Sequence, residues 1–337
     1  MVSSLNRYRM NEERNKDEER NKNHMTLSLT FPGQGSQAIG MGQALAEAYP
    51  AARAVFEEVD DALSEKLSDL IWSGTPEELT LTQNAQPALM AVSMAAMRVL
   101  EAEGLNIAEH VNCVAGHSLG EYSALAAVGS LSITDAARLL RIRGKAMQSA
   151  VPVGEGAMAV VLGLDLDAVR EIGEMAAQGC VCEVANDNSD IQVVLSGHKA
   201  AVERAIDIAK SKGAKRAMLL PVSAPFHCRL MTPAAEVMAE ALSSVEVNAP
   251  SVPVIANVLA APETEPTGIR KNLVVQVSGS VRWRESMQWM IGNGISKQME
   301  VGAGKVLTGL IRRMNKDISA AAFGGPDDLE GSKELWV

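Results

Sequence analysis

A serine stands between two glycines at residues 116–120, in the order Gly-His-Ser-Leu-Gly. This G-x-S-x-G pattern follows a short apolar run at 111–115 and precedes a run of helical character at 121–128. In that setting the pattern predicts a strand-to-helix turn so tight that glycines must flank the serine. Such a turn holds the hydroxyl outward at a helix N-terminus, where free N–H groups can stabilise an oxyanion. Ser118 is therefore the candidate nucleophile and the N–H of Leu119 a candidate oxyanion donor, the alternative being a glycine-rich helix start without chemistry.

A serine hydroxyl needs a general base to act as a nucleophile near neutral pH. Of the five histidines, His227 lies in the segment Ser-Ala-Pro-Phe-His-Cys, a constrained loop where we expect the chain to re-enter the larger domain. The side chain of His117, next to the serine, is expected to point away from it. Residue type and position leave two interpretations of His227 open, a catalytic base and a buried structural histidine. No Asp or Glu stands out as a third member of the site.

Arg143 lies on the apolar face of a predicted helix. The helix is expected to run from Ser132 to about residue 149, because Asp135 follows the serine by three residues as in a capping box. Arg143 occupies the i+7 position of an apolar stripe formed by Ala136, Leu139, Leu140 and Met147. A buried guanidinium needs an anionic partner, and either Glu121 or the carboxylate of a ligand could serve. The remaining basic residues of this helix fall outside the stripe and are expected to be solvated, namely Arg138, Arg141 and Lys145.

Short apolar strands alternate with helices from Met25 onward, which predicts an α/β fold with a parallel sheet. Pro87 is expected in the first turn of one helix. The predicted strands are 26–31, 111–115, 252–258 and 296–301, and the predicted helices include 83–100, 132–149 and a last one at 305–313. Residues 151–222 differ, because their patterns follow the order β-α-β-β-α-β that is typical of a ferredoxin-like subdomain.

These patterns divide the chain into four parts. Residues 1–24 are polar, of mixed charge and almost free of large aliphatic side chains, so we expect a disordered leader, an expression remnant or a misplaced start. The catalytic core is expected at 25–150 and 223–320, the inserted subdomain at 151–222 and a C-terminal tail at 321–337.

The composition of the 337 residues argues against several classes of partner. Only 3% of the residues are aromatic and the net charge is −10, which does not favour binding to nucleic acid or to an anionic membrane. The four cysteines show no CxxC pair and no metal-binding spacing with histidine. No apolar run approaches the ~18 residues of a membrane span. We therefore expect a cytoplasmic monomer without a metal or a tightly bound cofactor.

Several separate motifs together resemble the acyltransferases of fatty acid and polyketide synthesis, most closely the stand-alone bacterial malonyl transacylases. The motifs are FPGQGSQ at 31–37, QPA at 86–88, GHSLGEY at 116–122, RGKAMQ at 143–148, SAPFH at 223–227, QV at 276–277 and VRW at 281–283. The resemblance covers about residue 26 to 315, in the order of the family. It implies an α/β-hydrolase-like core that carries an inserted ferredoxin-like subdomain.

The resemblance also implies which residues perform the chemistry. Ser118 would be the nucleophile and His227 the general base. The main-chain carbonyl of Gln276 would orient the imidazole, which a neutral group can do by fixing the tautomer. The N–H groups of Gln34 and Leu119 would form the oxyanion hole.

Two further residues would select the acyl group. Arg143 would bind the free carboxylate of a malonyl group, and Phe226 would narrow the pocket against an α-methyl branch. The resemblance is weaker at 186–190, because Asp190 stands where family members often carry a proline. That difference leaves the shape of this predicted loop open.

The implied reaction transfers malonyl from malonyl-CoA to the phosphopantetheine thiol of an acyl carrier protein, through an ester on Ser118. Coenzyme A and the carrier protein are thus the implied partners. Two alternatives use the same motifs: a serine hydrolase with water as the acceptor, and a non-catalytic module that binds a carrier protein. Arg143 on the apolar face, together with the resemblance to the family, favours transfer over hydrolysis. The presence of nucleophile, base and oxyanion glycines argues against a non-catalytic module.

Overall fold

The computed structural model describes residues 26–337, so the predicted leader at 1–24 lies outside the described residues. The strands are β1 (Leu27–Phe31), β2 (Val111–Gly116), β3 (Gly156–Leu162), β4 (Cys182–Ser189), β5 (Gln192–His198), β6 (Arg216–Leu219), β7 (Val254–Ala256), β8 (Ala261–Glu263), β9 (Lys297–Val301) and β10 (Ser319–Phe323). The helices are α1 (Gln43–Ala48), α2 (Pro50–Leu63), α3 (Leu67–Ser73), α4 (Pro76–Thr80), α5 (Thr82–Ala102), α6 (Ile107–His110), α7 (Gly120–Ala127), α8 (Ile133–Ser149), α9 (Leu166–Ala177), α10 (Lys199–Ser211), α11 (Thr232–Ser243), α12 (Pro266–Ser278), α13 (Trp283–Gly292), α14 (Val306–Met314) and α15 (Leu329–Lys333).

The larger sheet has the strand order β10-β9-β1-β2-β7-β8. Its neighbouring strands are parallel, except for the antiparallel pair β7–β8 at one edge. All five residues of the central strand β1 are buried, as expected for a parallel strand that is covered on both faces. The predicted α/β class with a parallel sheet is confirmed, with the short strand β8 as an addition that the sequence did not indicate.

The smaller sheet has the order β4-β5-β3-β6, with antiparallel neighbours throughout. Together with α9 and α10, its strands follow the chain as β-α-β-β-α-β, which confirms the order predicted for residues 151–222. This part has its own cluster of buried apolar side chains, among them Ile172, Val193, Leu195 and Val202. The smaller sheet therefore has a core of its own, while Met158, Ala185 and Val194 of its strands pack into the main hydrophobic core.

Val281 connects strand β4 to the part of the chain that carries the larger sheet. Its N–H donates to the carbonyl of Ala185 at 2.8 Å, and its carbonyl accepts from the N–H of Asp187 at 2.9 Å. The guanidinium of Arg284 on α13 pairs with the buried carboxylate of Asp187 at 2.9 Å. Strand β4 runs to Ser189, so most of the predicted loop at 186–190 is strand.

The segment 321–337 is not a free tail. Strand β10 crosses the predicted boundary and pairs with β9 at the edge of the larger sheet. After α15, the side chains of Leu335 and Trp336 are buried in the main hydrophobic core. The sequence of β10 is Ser-Ala-Ala-Ala-Phe, and alanine is depleted in strands, so composition did not reveal it.

Helix α5 begins at Thr82, so Pro87 lies in its second turn and not in its first as predicted. Proline has no N–H to donate to the carbonyl of Gln83, four residues earlier. The guanidinium of Arg141 on α8 donates to that carbonyl instead, at 2.7 Å, and also pairs with Glu65. The expectation of a solvated Arg141 is therefore wrong, since its side chain is only 11% exposed.

Gly144 allows α8 to approach the start of α5 closely. A Cβ atom at this position would lie 2.5 Å from the Cα of Gln83 and 2.7 Å from the carbonyl oxygen of Thr82. Both contacts are with backbone atoms, which cannot move aside as a side chain can. The neighbouring Arg143 also contacts α5, with 2.6 Å between its Nη1 and Oε1 of Gln86.

We predict that Gly144→Ala lowers the free energy of unfolding by about 1–3 kcal/mol, because the added methyl overpacks the helix contact. In an open helix the same change would stabilise the protein by up to about 1 kcal/mol. Urea unfolding followed by circular dichroism measures the difference. Gly309→Ala on α14 is the matched control, since its nearest neighbour is the flexible end of Arg313 at 3.7 Å. A Gly144→Ala protein as stable as the wild type would contradict the prediction.

Candidate active site

Ser118 lies in the turn between β2 and α7. Its φ is 53°, in the left-handed region that non-glycine residues seldom adopt. A Cβ on Gly116 would lie 1.8 Å from the carbonyl oxygen of Gly120, and one on Gly120 would lie 2.3 Å from that of Phe31. Only glycine fits at either position, so the predicted strand–turn–helix setting of the motif is confirmed.

The side chain of Asn257 holds this turn at two points. Its Oδ1 accepts from the N–H of Ser118 at 2.8 Å, and its Nδ2 donates to the carbonyl of Gly116 at 2.7 Å. Asn257 directly follows β7 and is fully buried. Because a buried amide retains its hydrogen-bond partners, these contacts stabilise the strained backbone of Ser118.

The imidazole of His227 contacts the serine hydroxyl, with 2.7 Å between Nε2 and Oγ of Ser118. On the other side of the ring, Nδ1 lies 2.9 Å from the carbonyl oxygen of Gln276 and 3.2 Å from that of Gly279. A carbonyl oxygen can only accept, so Nδ1 carries the proton of the neutral ring and Nε2 accepts from the serine. This is the arrangement that a nucleophile and its general base require.

Arg143 is a buried cation beside the serine, with 1% of its surface exposed. Its Nη1 donates to Oε1 of Gln86 at 2.6 Å, and its Nη2 donates to Oε1 of Gln276 at 2.8 Å and to Oγ of Ser118 at 3.1 Å. All three partners are neutral, and the Nε of Arg143 has no partner within residues 26–337. The ring of Tyr122 lies 5.8 Å from the guanidinium carbon. The site therefore presents positive charge that no hydrogen-bonded carboxylate of the described chain neutralises.

Glu121 shares a hydrogen-bond partner with Arg143 but does not bond to it directly. Its Oε2 accepts from Nε2 of Gln276 at 2.8 Å and from the N–H of Asn257 at 3.1 Å. The Gln276 amide thus stands between the two charges, with its oxygen toward Arg143 and its nitrogen toward Glu121. Burial raises the pKa of Glu121 to about 7, against the lowering effects of its hydrogen bonds and of Arg143. Glu121, one of the two anionic partners considered from the sequence, reaches Arg143 only through Gln276.

The two predicted oxyanion donors line the same pocket as the serine. Gln34 lies in the turn after β1, and its side-chain oxygen accepts from the hydroxyl of Thr82 at 3.0 Å. Nε2 of Gln86 donates in turn to that hydroxyl at 2.9 Å. Across the described chain, the main-chain N–H groups of Gln34 and Leu119 have no hydrogen-bond acceptor. They can therefore donate to an oxyanion that develops beside Ser118.

A pocket of about 400 Å³ opens over Ser118, a size typical of small-molecule sites. Its polar wall includes Arg143 and His227. Its apolar wall includes Met147, Met158, Val222 and the predicted selectivity residue Phe226. His117 also lines the pocket, but its Nε2 bonds to Oδ1 of Asn188 on β4, at 2.9 Å.

The described chain shows no cluster of metal ligands. Within residues 26–337, no three His, Cys, Asp or Glu side chains are placed to hold a metal ion. The four cysteines are free. No helix in this same range is long and apolar enough to cross a membrane.

The sequence placed some residues of the site and missed others. Gln86 belongs to the QPA motif at 86–88, whose sequence indicates no role for it, and its contact with Arg143 supplies one. Thr82 and Asn257 belong to none of the motifs. No local signal marks them, since Asn257 acts across 139 residues of the chain and Thr82 across 48.

We predict that His227 stays neutral well below the usual pH of histidine titration. Burial, and then the positive charge of Arg143, lower its pKa from 6.5 to about 3. A lowered pKa means that the proton is lost at a lower pH, so the side-chain ¹⁵N resonances of His227 should not change between pH 8 and pH 5.5. Ser118→Ala, which keeps the burial and the charge, should behave in the same way. A titration midpoint near 6.5 in the folded protein would contradict this prediction.

Comparison with known proteins assigns the chain to a family. The family described as acyl transferase domain matches residues 29–324. The malonyl CoA-acyl carrier protein transacylase of Bacillus subtilis is 45% identical over 90% of this chain and 95% of its own length. The Escherichia coli K12 protein of the same name is 45% identical over 92% of this chain and 99% of its own length.

Solved structures agree with these relatives. The acyl-carrier-protein S-malonyltransferase of Bartonella henselae has a TM-score of 0.91 and 59% identity, covering 93% of this chain and all of that one. A type II PKS acyl-carrier protein in complex with its malonyl-transacylase gives a TM-score of 0.89 and 43% identity, covering 92% of this chain and 99% of the other. Since the family match and these relatives span most of the sequence, the chain belongs to the acyl transferase family and is an acyltransferase.

Proposed function

We propose that this acyltransferase moves a malonyl group from malonyl-CoA to the phosphopantetheine thiol of an acyl carrier protein, in fatty acid biosynthesis. The observation that supports this proposal most directly is the position of Arg143. This residue is 1% exposed, and its guanidinium lies 3.1 Å from the hydroxyl of Ser118. A buried cation so close to the nucleophile suits an acyl group that bears its own carboxylate. An acetyl group would leave that cation without an anion. The names of the relatives support both the donor and the acceptor.

The first half-reaction forms an ester on Ser118. Its Oγ attacks the thioester carbonyl while Nε2 of His227 takes the hydroxyl proton. The C–S bond of the tetrahedral intermediate then breaks, and His227 returns the proton to the leaving sulfur, so that coenzyme A departs as the thiol. The carbonyl of Gln276 keeps the Nδ1 proton in place and stabilises the imidazolium. The N–H groups of Gln34 and Leu119 bind the oxyanion.

The second half-reaction returns the serine to its starting state. The phosphopantetheine thiol of the carrier protein gives its proton to His227 and attacks the ester carbonyl. The C–O bond to Ser118 breaks, and the proton passes from His227 to Oγ. Coenzyme A leaves before the carrier protein reacts, so the kinetics are ping-pong. Phe226, in the apolar wall of the pocket, restricts the acyl group to one without an α-methyl branch.

The two sheets divide this work. We assign residues 25–150 and 223–320, extended by β10, to an α/β-hydrolase-like catalytic core, and 151–222 to a ferredoxin-like insert. The core supplies the nucleophile and the base, and the insert supplies part of the pocket wall, including Met158. Serine, histidine and main-chain donors provide the nucleophile, the base and the charge stabilisation, so the proposed steps require no metal or tightly bound cofactor. We place the enzyme in the cytoplasm as a monomer.

The test is acyl transfer followed by mass spectrometry of the intact protein. Wild-type protein mixed with malonyl-CoA should gain one malonyl group on Ser118, and holo acyl carrier protein should remove it much faster than water does. Arg143→Ala should lower the preference for malonyl-CoA over acetyl-CoA, as the ratio of kcat/KM values, by roughly a hundredfold. The loss follows from the missing charge-assisted hydrogen bonds to the malonyl carboxylate.

Arg138→Ala is the matched control, because Arg138 is an exposed residue of the same helix that does not line the pocket over Ser118. It should leave the preference unchanged. Release of free malonate at the same rate with and without carrier protein would identify a hydrolase and contradict the proposal. An unchanged malonyl preference in Arg143→Ala would show that Arg143 does not bind the malonyl carboxylate.

A further inference from the structure

Glu121 is a buried carboxyl group that takes no part in the steps above. It is 3% exposed and lies in the first turn of α7, directly after the nucleophile turn. Its two hydrogen-bond donors, Gln276 and Asn257, also organise the rest of the site. Gln276 contacts both Arg143 and His227, and Asn257 holds the serine turn. Glu121 therefore contacts the two side chains that position the reacting groups, Gln276 and Asn257.

The Gln276 amide keeps Glu121 and Arg143 apart. A direct ion pair would use donors of the guanidinium that a ligand carboxylate needs. With the amide between them, one charge contacts the amide nitrogen at 2.8 Å and the other contacts its oxygen at 2.8 Å. The two groups still attract each other, since Arg143 lowers the pKa of Glu121 and Glu121 raises that of Arg143, although burial outweighs both effects. The result is a cation that is partly balanced and yet hydrogen-bonded to no carboxylate, with its Nε unpartnered in the described chain.

We propose that Glu121 is the counter-charge of Arg143 and a specificity-determining residue of the transfer, because it weakens the hold of Arg143 on the acyl carboxylate. The inference rests on the proposed binding of malonyl by Arg143. A malonyl carboxylate in the pocket and the Glu121 carboxylate share one cation, and like charges at this range repel. Glu121 thus keeps the malonyl group bound loosely enough to pass to the carrier protein.

The test is Glu121→Gln, which keeps the volume and one acceptor oxygen and removes the charge. KM for malonyl-CoA should fall roughly tenfold, because an unbalanced buried cation binds the carboxylate more tightly in ground state and transition state alike. The ratio of kcat/KM for malonyl-CoA over acetyl-CoA should rise by a similar factor. Assays at pH 8 favour the ionised carboxylate in the wild type, since burial raises the pKa of Glu121 to about 7. A variant with a damaged site would be expected to lose preference for malonyl-CoA over acetyl-CoA, so a rise in this preference distinguishes the proposed role from structural damage.

Glu300→Gln is the matched control. Glu300 is also fully buried, and its carboxylate accepts from the N–H groups of Leu307 at 3.1 Å and Thr308 at 2.7 Å. It lies on β9 and both of its donors lie on α14, whereas Glu121 accepts from Gln276, the partner of Arg143. Its loss should lower the Tm without changing the malonyl preference.

Glu121→Asp is a second variant that keeps the charge and shortens the side chain by one methylene. Its malonyl preference should stay within about threefold of the wild type, because the counter-charge remains. Circular dichroism and Tm values for each variant show which of them are folded. If Glu121→Gln does not fold, the test depends on Glu121→Asp. A roughly tenfold rise in the malonyl preference of Glu121→Asp, which keeps the charge, would then overturn the proposal.

An unchanged or reduced malonyl preference in folded Glu121→Gln would overturn the counter-charge role and leave Glu121 as a support for Gln276 alone. That result is distinct from failure of the proposed function. If the wild type forms no malonyl ester on Ser118, both inferences fall. If the wild type forms it normally, only the role of Glu121 is in question.

Discussion

The buried guanidinium of Arg143 is the constraint on which the arrangement of the site depends. Taking such a group out of water costs on the order of several kcal/mol unless acceptors and an opposite charge surround it. Gln86 on α5 and Gln276 on α12 supply two acceptors, Ser118 a third, and Glu121 supplies the charge through Gln276. Since the main-chain carbonyl of Gln276 also bonds to the ring of His227, the guanidinium, the imidazole and the serine hydroxyl form one hydrogen-bonded unit.

The same hydrogen bonds also stabilise the strained backbone conformations of Ser118 and His227. Ser118 and His227 have φ values of 53° and 58°, which cost free energy in residues with a Cβ. The Asn257 amide and the side chain of Gln276 bond to the main chain around Ser118, while the two carbonyls behind the imidazole fix the ring of His227. The reacting atoms are therefore in place before a substrate arrives, which is the preorganisation that acyl transfer needs.

What the sequence predicted well was local. The G-x-S-x-G turn follows from glycine sterics over five residues, and the buried position of Arg143 follows from helix periodicity. What it missed depends on contacts between distant segments: Asn257 reaching the serine turn, and Arg141 replacing the N–H that Pro87 lacks in α5. Strand β10 was missed for another reason, because three consecutive alanines carry little strand signal. The position of Gln276 came from the resemblance, and the part its side chain plays between two charges came only from the structure.

A crystal structure of the enzyme trapped as the malonyl-Ser118 ester tests the central claim most directly. The account predicts that the malonyl carboxylate lies within about 3.2 Å of the guanidinium nitrogens of Arg143, in a charge-assisted hydrogen bond. The contact between His227 and the carbonyl of Gln276 should be retained. A carboxylate directed to solvent, with Arg143 still bonded only to Gln86 and Gln276, would contradict the account.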